Sequence, residues 1–326
     1  MYERLPLRDD IIEVRKILAP FIHRTPVHTS ISLNELFGST LFFKCENFQK
    51  GGAFKFRGAT HAIATLTSVE ASRGVATHSS GNHAQALSLA ARMRGIRAHI
   101  VMPTTSPKIK IEAVKSYGGQ IIFCQPTLSD REHSLLMLME KTGAVEIHPY
   151  NDYRIIAGQA TAAAELFEDS TAPLDCIIAP VGGGGLLSGT ILSTKYFSPK
   201  TKVYGAEPEK ANDAWQSIRV KKLIPVDKAL TIADGLRTSL GSRTFPIIMQ
   251  GVTDILCVSE ESIIEAMLLL WERMKLVVEP SGAVPLAAIM EHKNLFEGKS
   301  CGIILSGGNT DLFNLPWSDS QQSGKH

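Results

Sequence analysis

A regular alternation beginning at Gly74 narrows what this chain can fold into more than any other feature. Val75-Ala76-Thr77 is strand-like, residues 84–94 are helix-like, and Ala98-His99-Ile100-Val101-Met102 is strand-like again. Lys108 to Tyr117 then carries a helical pattern, Gln120-Ile121-Ile122-Phe123-Cys124 a strand, Arg131 to Thr142 a helix, and Val145-Glu146-Ile147-His148 a strand. Short strands separated by helices of roughly ten to fifteen residues require right-handed crossovers, which predicts an α/β architecture built on parallel sheet. A second alternation runs from Ile155 to Leu305, and 326 residues suffice for two ordinary domains. Residues 74–151 are expected to form a small inserted domain, and residues 1–73 with 152–318 a larger one. The polar stretch 319–326 is expected to be a disordered tail. A ligand would bind in the cleft between the domains, at the carboxyl ends of strands.

Ahead of the alternation, Leu41-Phe42-Phe43 reads as a buried strand and Gly51-Gly52 as a tight turn. Lys55 follows, between Phe54 and Phe56, at the expected start of a helix. A helix N-terminus already carries partial positive charge, and an apolar pocket desolvates an ammonium. Both effects favour the neutral amine, the form that attacks carbonyls and makes Schiff bases. A surface lysine that happens to follow two glycines is the competing explanation. A second stretch bears on the choice: Gly182, Gly183, Gly184 and Gly185 follow the apolar run Cys176-Ile177-Ile178-Ala179 and precede Leu186-Leu187-Ser188-Gly189. Strand, glycine loop and helix together make a phosphate site from bare N–H groups and a helix N-terminus.

Taken together, Lys55 and the four glycines resemble the fold type II pyridoxal-phosphate enzymes, and within them the serine racemases and serine/threonine dehydratases. The resemblance runs from Thr25-Pro26-Val27 to Ser306-Gly307-Gly308-Asn309. It implies that Lys55, with Phe54 beside it, holds pyridoxal 5'-phosphate, that Gly182 to Gly185 hold its phosphate, and that Ser306 faces the pyridine nitrogen. A hydroxyl there is a weak partner, so the ring is a modest electron sink, which favours loss of a β-substituent. Thr77-His78-Ser79-Ser80-Gly81-Asn82-His83 follows a strand and opens a helix. The resemblance makes Ser79, Ser80, Asn82 and His83 a substrate-carboxylate loop, with Asn82 also on the cofactor ring hydroxyl. The same residues would serve as an N-cap cluster. Ser80 matches the serine that racemases place opposite the lysine, where a second acid/base group is needed. The implied reaction is dehydration of L-serine or L-threonine to a 2-oxo acid and ammonia, with serine racemisation.

Glu207 and Asp213 match the divalent-cation site of serine racemases, where two carboxylates and a backbone carbonyl (here that of Ala211) hold magnesium, manganese or calcium. A solvated acidic loop is the simpler account of the spacing alone. Arg131 and Thr238 match positions near the substrate side chain. An arginine there would accept a second carboxylate, which keeps 3-hydroxyaspartate dehydration and aspartate racemisation open. His148-Pro149-Tyr150 carries an aromatic residue, as dehydratases often do at the matching position, and Glu279 falls near the cofactor without a role.

Two other classes of function remain for comparison. Glu207 lies roughly 20 residues beyond the glycine loop, where a dinucleotide fold keeps its ribose-binding acid, but the loop is no clean G-x-G-x-x-G and Lys55 and Ser306 would go unexplained. A non-catalytic binding protein would carry no chromophore. Net charge of +2 gives no reason to expect nucleic acid or an anionic membrane. Apolar runs break far short of the ~20 residues of a spanning helix, and Met1 to Leu5 offer no signal core. Five widely spaced cysteines without a Cys-x-x-Cys pair suit reduced thiols in the cytoplasm. A small amino acid is the expected substrate and a homodimer the expected assembly. Isoleucine feedback is not expected, for want of a regulatory domain after the core.

Overall fold

A computed structural model describes residues 4–106, 108–226 and 229–317; the expected tail at 319–326 lies outside the described residues. Ten strands make two sheets: β1 (Val27–His28), β2 (Thr40–Cys45), β3 (Val75–His78), β4 (Ala98–Pro103), β5 (Gln120–Cys124), β6 (Val145–Glu146), β7 (Cys176–Pro180), β8 (Lys202–Pro208), β9 (Asp254–Val258) and β10 (Ser300–Leu305). The larger sheet has the order β1-β2-β10-β7-β8-β9 and the smaller β5-β4-β3-β6. All pairings are parallel except that of β1 with β2, where Val27 faces Lys44. Val27, directly after Pro26, thus begins an antiparallel edge. The expected strand over 145–148 stops at Glu146, because His148 turns away to accept backbone N–H groups on its Nδ1. No helix among the described residues is long and apolar enough to cross a membrane.

The larger sheet is covered on both faces, as its continuous apolar strands require. The helices Glu260–Met274 and Pro280–Glu291 pack on one face, and Tyr153–Asp169 and Gly185–Phe197 on the other. The smaller sheet shares its core with the helix Lys55–Ala64, which comes from outside residues 74–151: Phe56, Ala59 and Ile63 lie among Val75, Leu87 and Ile100. This helix also crosses Tyr153–Asp169 at glycine-to-glycine distance. A Cβ on Gly158 would come 2.6 Å from the Gly58 Cα.

Beneath the crossing lies a fully buried charged quartet. The Arg57 guanidinium donates to both oxygens of Glu46 (2.7 and 2.8 Å) and both of Glu165 (2.8 and 2.7 Å), and to Thr161 Oγ1 at 3.1 Å. Lys44 Nζ donates to Glu165 Oε2 and to the Thr25 carbonyl, each at 2.7 Å. Burial alone would weaken the Arg57 charge, but Glu46 and Glu165 more than offset it and hold the guanidinium firmly protonated. Two cations meet two anions and the guanidinium's hydrogen bonds are filled, the condition under which buried charge is tolerated. The quartet ties the Lys55 helix to β2 and to the helix Tyr153–Asp169. Replacing Arg57 by Met would leave Glu46 buried without a cation and Glu165 with Lys44 alone, an expected loss of about 3–5 kcal/mol. Urea unfolding of the variant checks this, and a change under 1 kcal/mol would contradict it.

Candidate active site

Lys55 is the first residue of its helix, and three features of the chain put it there. Gly51 and Gly52, with φ of 70° and 73°, turn the backbone in a way L side chains resist. Phe54 N then donates to the Ser306 carbonyl (3.0 Å), and Ala53 bridges to Gly307. The turn is therefore sewn to the end of β10, and Ser306 itself is buried there. Lys55 Nζ lies 5.1 Å from the centre of the Phe54 ring and donates to the Pro149 carbonyl at 2.9 Å. Burial pushes its amine down to about 8.

The glycine loop opens the helix Gly185–Phe197, and all four glycines are buried. Gly184 caps that helix with φ of 86°, in the left-handed region. A Cβ on Gly183 would lie 2.2 Å from the Tyr150 ring, and one on Gly182 would lie 2.9 Å from the Leu236 Cα. Thr244 Oγ1 donates to the Gly183 carbonyl at 2.8 Å. Thr238 sits beside Gly182. A loop that excludes every side chain at a helix N-terminus is the cradle a phosphate fits, and a Lys55 amine that burial makes less basic fits an aldehyde cofactor.

Ser79 and Ser80 stand between β3 and the helix Asn82–Met93, whose N-cap Gly81 has open space where a Cβ would go. His83 Nε2 bonds the Ile147 carbonyl (3.0 Å), so its buried Nδ1 carries a lone pair with no hydrogen-bond partner. Burial, and next the Lys55 charge, press His83 down to about 3. His148 is pressed to about 4 by burial, then by His78 and Lys55. Asn82 donates to Glu279 Oε1 at 2.7 Å. Glu279 is pushed up to about 8, by burial first and then by Asp234.

Residues 147–151 touch nearly every part of this site. Besides the bonds from His83 and Lys55 and the ring of Tyr150 on Gly183, Asn151 Oδ1 accepts from the Arg243 N–H at 2.7 Å. Sequence reasoning noted the Tyr150 position and missed the Pro149 carbonyl, Thr244, and the bonds of Glu279 and Asn309. Backbone acceptors carry no sequence signal, although Asn309 did stand in a quoted motif.

The remaining candidates are Arg131, Glu207, Asp213 and Ala211. Arg131 donates to the Pro126 carbonyl at 2.9 Å; its Nε is buried without a partner, and its charge bears on His78. Glu207, at the end of β8, accepts from the N–H groups of Ala214 (3.0 Å) and Trp215 (2.9 Å) and so caps the helix Asp213–Val220. Asp213 Oδ2 accepts from Leu240 N, while its Oδ1 is buried with no partner. Burial raises both carboxyls, Glu207 further through the Asp213 charge and Asp213 to about 7. Ala211 is buried beside them. Among the described residues no group of three or more His, Cys, Asp or Glu side chains is placed to hold a metal.

The family model "pyridoxal-phosphate dependent enzyme" matches residues 18–307. The chain belongs to this family. It is 47% identical over 314 residues to the beta-hydroxyaspartate dehydratase of Paracoccus denitrificans (strain Pd 1222), covering 96% of this chain and 99% of that one. To the serine racemase of Arabidopsis thaliana it is 48% identical over 324 residues, 97% of each chain. The crystal structure of serine racemase from Dictyostelium discoideum superposes with a TM-score of 0.89 at 47% identity, over 94% of this chain and 99% of that one. The fold is accordingly the fold type II architecture, with a cofactor cleft between two sheets.

The depressed Lys55 has a consequence for stability. In the cofactor-free protein Lys55 sheds its proton at about 8, whereas in the unfolded chain it keeps it to ~10.4. The unfolded state binds the extra proton between those values, so stability should rise with pH across that window. Urea midpoints of wild type and Lys55→Met, taken across it, should diverge upward for wild type. Parallel curves would mean an ordinary lysine.

Proposed function

We propose that the chain is a β-hydroxy amino acid dehydratase (ammonia-lyase) that converts L-serine and L-threonine to a 2-oxo acid and ammonia, with racemisation of serine as a second outcome. The observation that carries this is a buried Lys55 of lowered basicity, linked through residues 147–151 to the glycine loop and to the helix that Gly81 caps. The cofactor supplies, when bound, the electron sink for the pair left at the substrate α-carbon. Lys55 and Phe54 would hold it, Gly182 to Gly185 would receive its phosphate, Ser306 would meet its ring nitrogen and Asn82 its ring oxygen.

The helix N-terminus at Ser79, Ser80 and Gly81 takes the substrate carboxylate, with no cation needed. The neutral histidines nearby leave that carboxylate to backbone dipoles and hydroxyls. The Lys55 amine removes the α-proton. Departure of the β-hydroxyl then commits the substrate to an unsaturated amine, which water converts to 2-oxo acid and ammonia. When Ser80 instead returns a proton on the opposite face, the product is the enantiomer. A second reading, 3-hydroxyaspartate as substrate, is favoured by Arg131, whose buried Nε lacks a partner, and by the dehydratase relative above. The same assay run with both substrates ranks them.

The two activities are separable. Lys55→Ala should abolish both, while Ser80→Ala should depress racemisation by the ~10²–10⁴ that a positioned acid or base contributes, with elimination far less affected. Chiral analysis of residual serine in deuterium oxide, beside a 2-oxo acid assay, measures both rates. Equal losses would make Ser80 a carboxylate ligand only, and wild type yielding neither D-serine nor deuterated substrate would remove racemisation.

Glu207, Asp213 and the Ala211 carbonyl are our candidate for a magnesium, manganese or calcium site, supported by the buried unpartnered oxygen of Asp213. Oxygen donors with like charges close together suit a hard cation. A chelator should lower the melting temperature, and added magnesium or calcium should restore it in a concentration-dependent way. Melting curves that ignore both would leave Glu207 as a helix cap alone.

A further inference from the structure

The amide of Asn82 is gripped from both ends, and the chain of bonds behind it has a direction. It starts at the Gly51 carbonyl, which can only accept and lies 2.7 Å from Asn309 Nδ2. The NH2 of Asn309 therefore faces the glycine turn, and its second hydrogen reaches Asn82 Oδ1 at 2.9 Å. With Oδ1 so engaged, Asn82 must turn its own NH2 the other way, where Glu279 Oε1 accepts at 2.7 Å. The Asn309 backbone N–H also bonds the Glu279 carboxyl. A flipped Asn82 would set its NH2 against the NH2 of Asn309.

Packing leaves the relay little room to shift. A Cβ on Gly52 would come 2.3 Å from Asn309 Oδ1, and one on Gly307 would come 2.5 Å from Glu279 Oε1. Three separate segments converge on Asn82 in this way: the turn before Lys55, the stretch after β10, and the N-cap of the helix Pro280–Glu291. Of the two hydrogens on Asn82 Nδ2, one is committed to Glu279 and one is left.

We propose that Asn309 and Glu279 are positioning residues that lock the Asn82 amide, so that Asn82 meets a ligand at the head of its helix only as a donor, through that remaining hydrogen. The inference rests on the pyridoxal-phosphate reading of the site and adds to it a polarity: the ring oxygen beside Asn82 is held as an acceptor, in its deprotonated form. Freed from the lock, Asn82 would offer either end of its amide, and the ring would lose that preference.

The test uses the holoenzyme and its cofactor-free form, titrated with pyridoxal 5'-phosphate. Asn309→Ala should shift the visible absorption maximum of the bound ring and raise the cofactor Kd by ~10-fold, the equivalent of one hydrogen bond at about 1.4 kcal/mol. Asn309→Ser, which keeps a single donor, should act in the same direction and serves if the alanine variant does not fold. Glu279→Gln can still accept from Asn82 and should leave the maximum and the Kd within about twofold of wild type, whereas Glu279→Ala should move them as Asn309→Ala does. An unchanged maximum in the Asn309 variants overturns the lock, even if their melting temperature falls, since that would be a structural role alone. So does a Glu279→Gln shift as large as that of Glu279→Ala. A wild type that binds no cofactor and shows no visible band would bring down the underlying reading as well.

Discussion

The geometry of the cleft depends first on the buried quartet of Arg57, Lys44, Glu46 and Glu165. Lys55 must stand between two sheets, and the helix that carries it packs into the core of the smaller one. Apolar packing there has no direction of its own and would tolerate a sliding helix. The Arg57 fork is different, because a planar guanidinium matched to two carboxylates is satisfied in one orientation only. Two residues after Lys55, it fixes the helix to β2 and to the helix Tyr153–Asp169, both parts of the larger unit. The glycine contact between residues 58 and 158 then sets how close the two helices come.

Around that fixed point the site is notable for how little net charge it keeps. Lys55, His83 and His148 are all driven toward neutrality, with burial the largest cause in each case, and Glu279 is pushed toward its protonated form. Under the proposed function such a cleft would receive anionic groups through helix ends and backbone N–H groups, which would not compete for the proton being transferred. Both helix ends that face the cleft, at Gly81 and at Gly184, are capped by glycine with no side-chain cap bond. Their free N–H groups are a cost to the folded protein that a bound carboxylate and phosphate would relieve.

Residues 147–151 link these parts. The segment leaves the smaller sheet at β6 and enters the helix Tyr153–Asp169, and between them it offers carbonyls to His83 and Lys55 and a ring to the glycine loop.

Much of this was legible in the chain itself. The period of the apolar runs set the parallel α/β architecture, and glycine at 51, 52 and 182–185 marked the turn and the cradle, because only glycine tolerates those backbone angles and approaches. Lysine between two phenylalanines announced a desolvated amine for the same local reason. What sequence did not determine was every contact made by groups distant in the chain. Lys44 and Glu46 read as ordinary charged residues around a strand end, and only the arrival of Arg57 and Glu165 makes them a core. Pro149 contributes through a carbonyl that every residue possesses. Glu279 had a position and no role until Asn82 and Asn309, from the start of one helix and the end of the chain's last strand, closed on it. Local periodicity and backbone sterics act between neighbours and are written in order. The direction of a hydrogen bond across 227 residues is decided only when folding brings its donor to its acceptor.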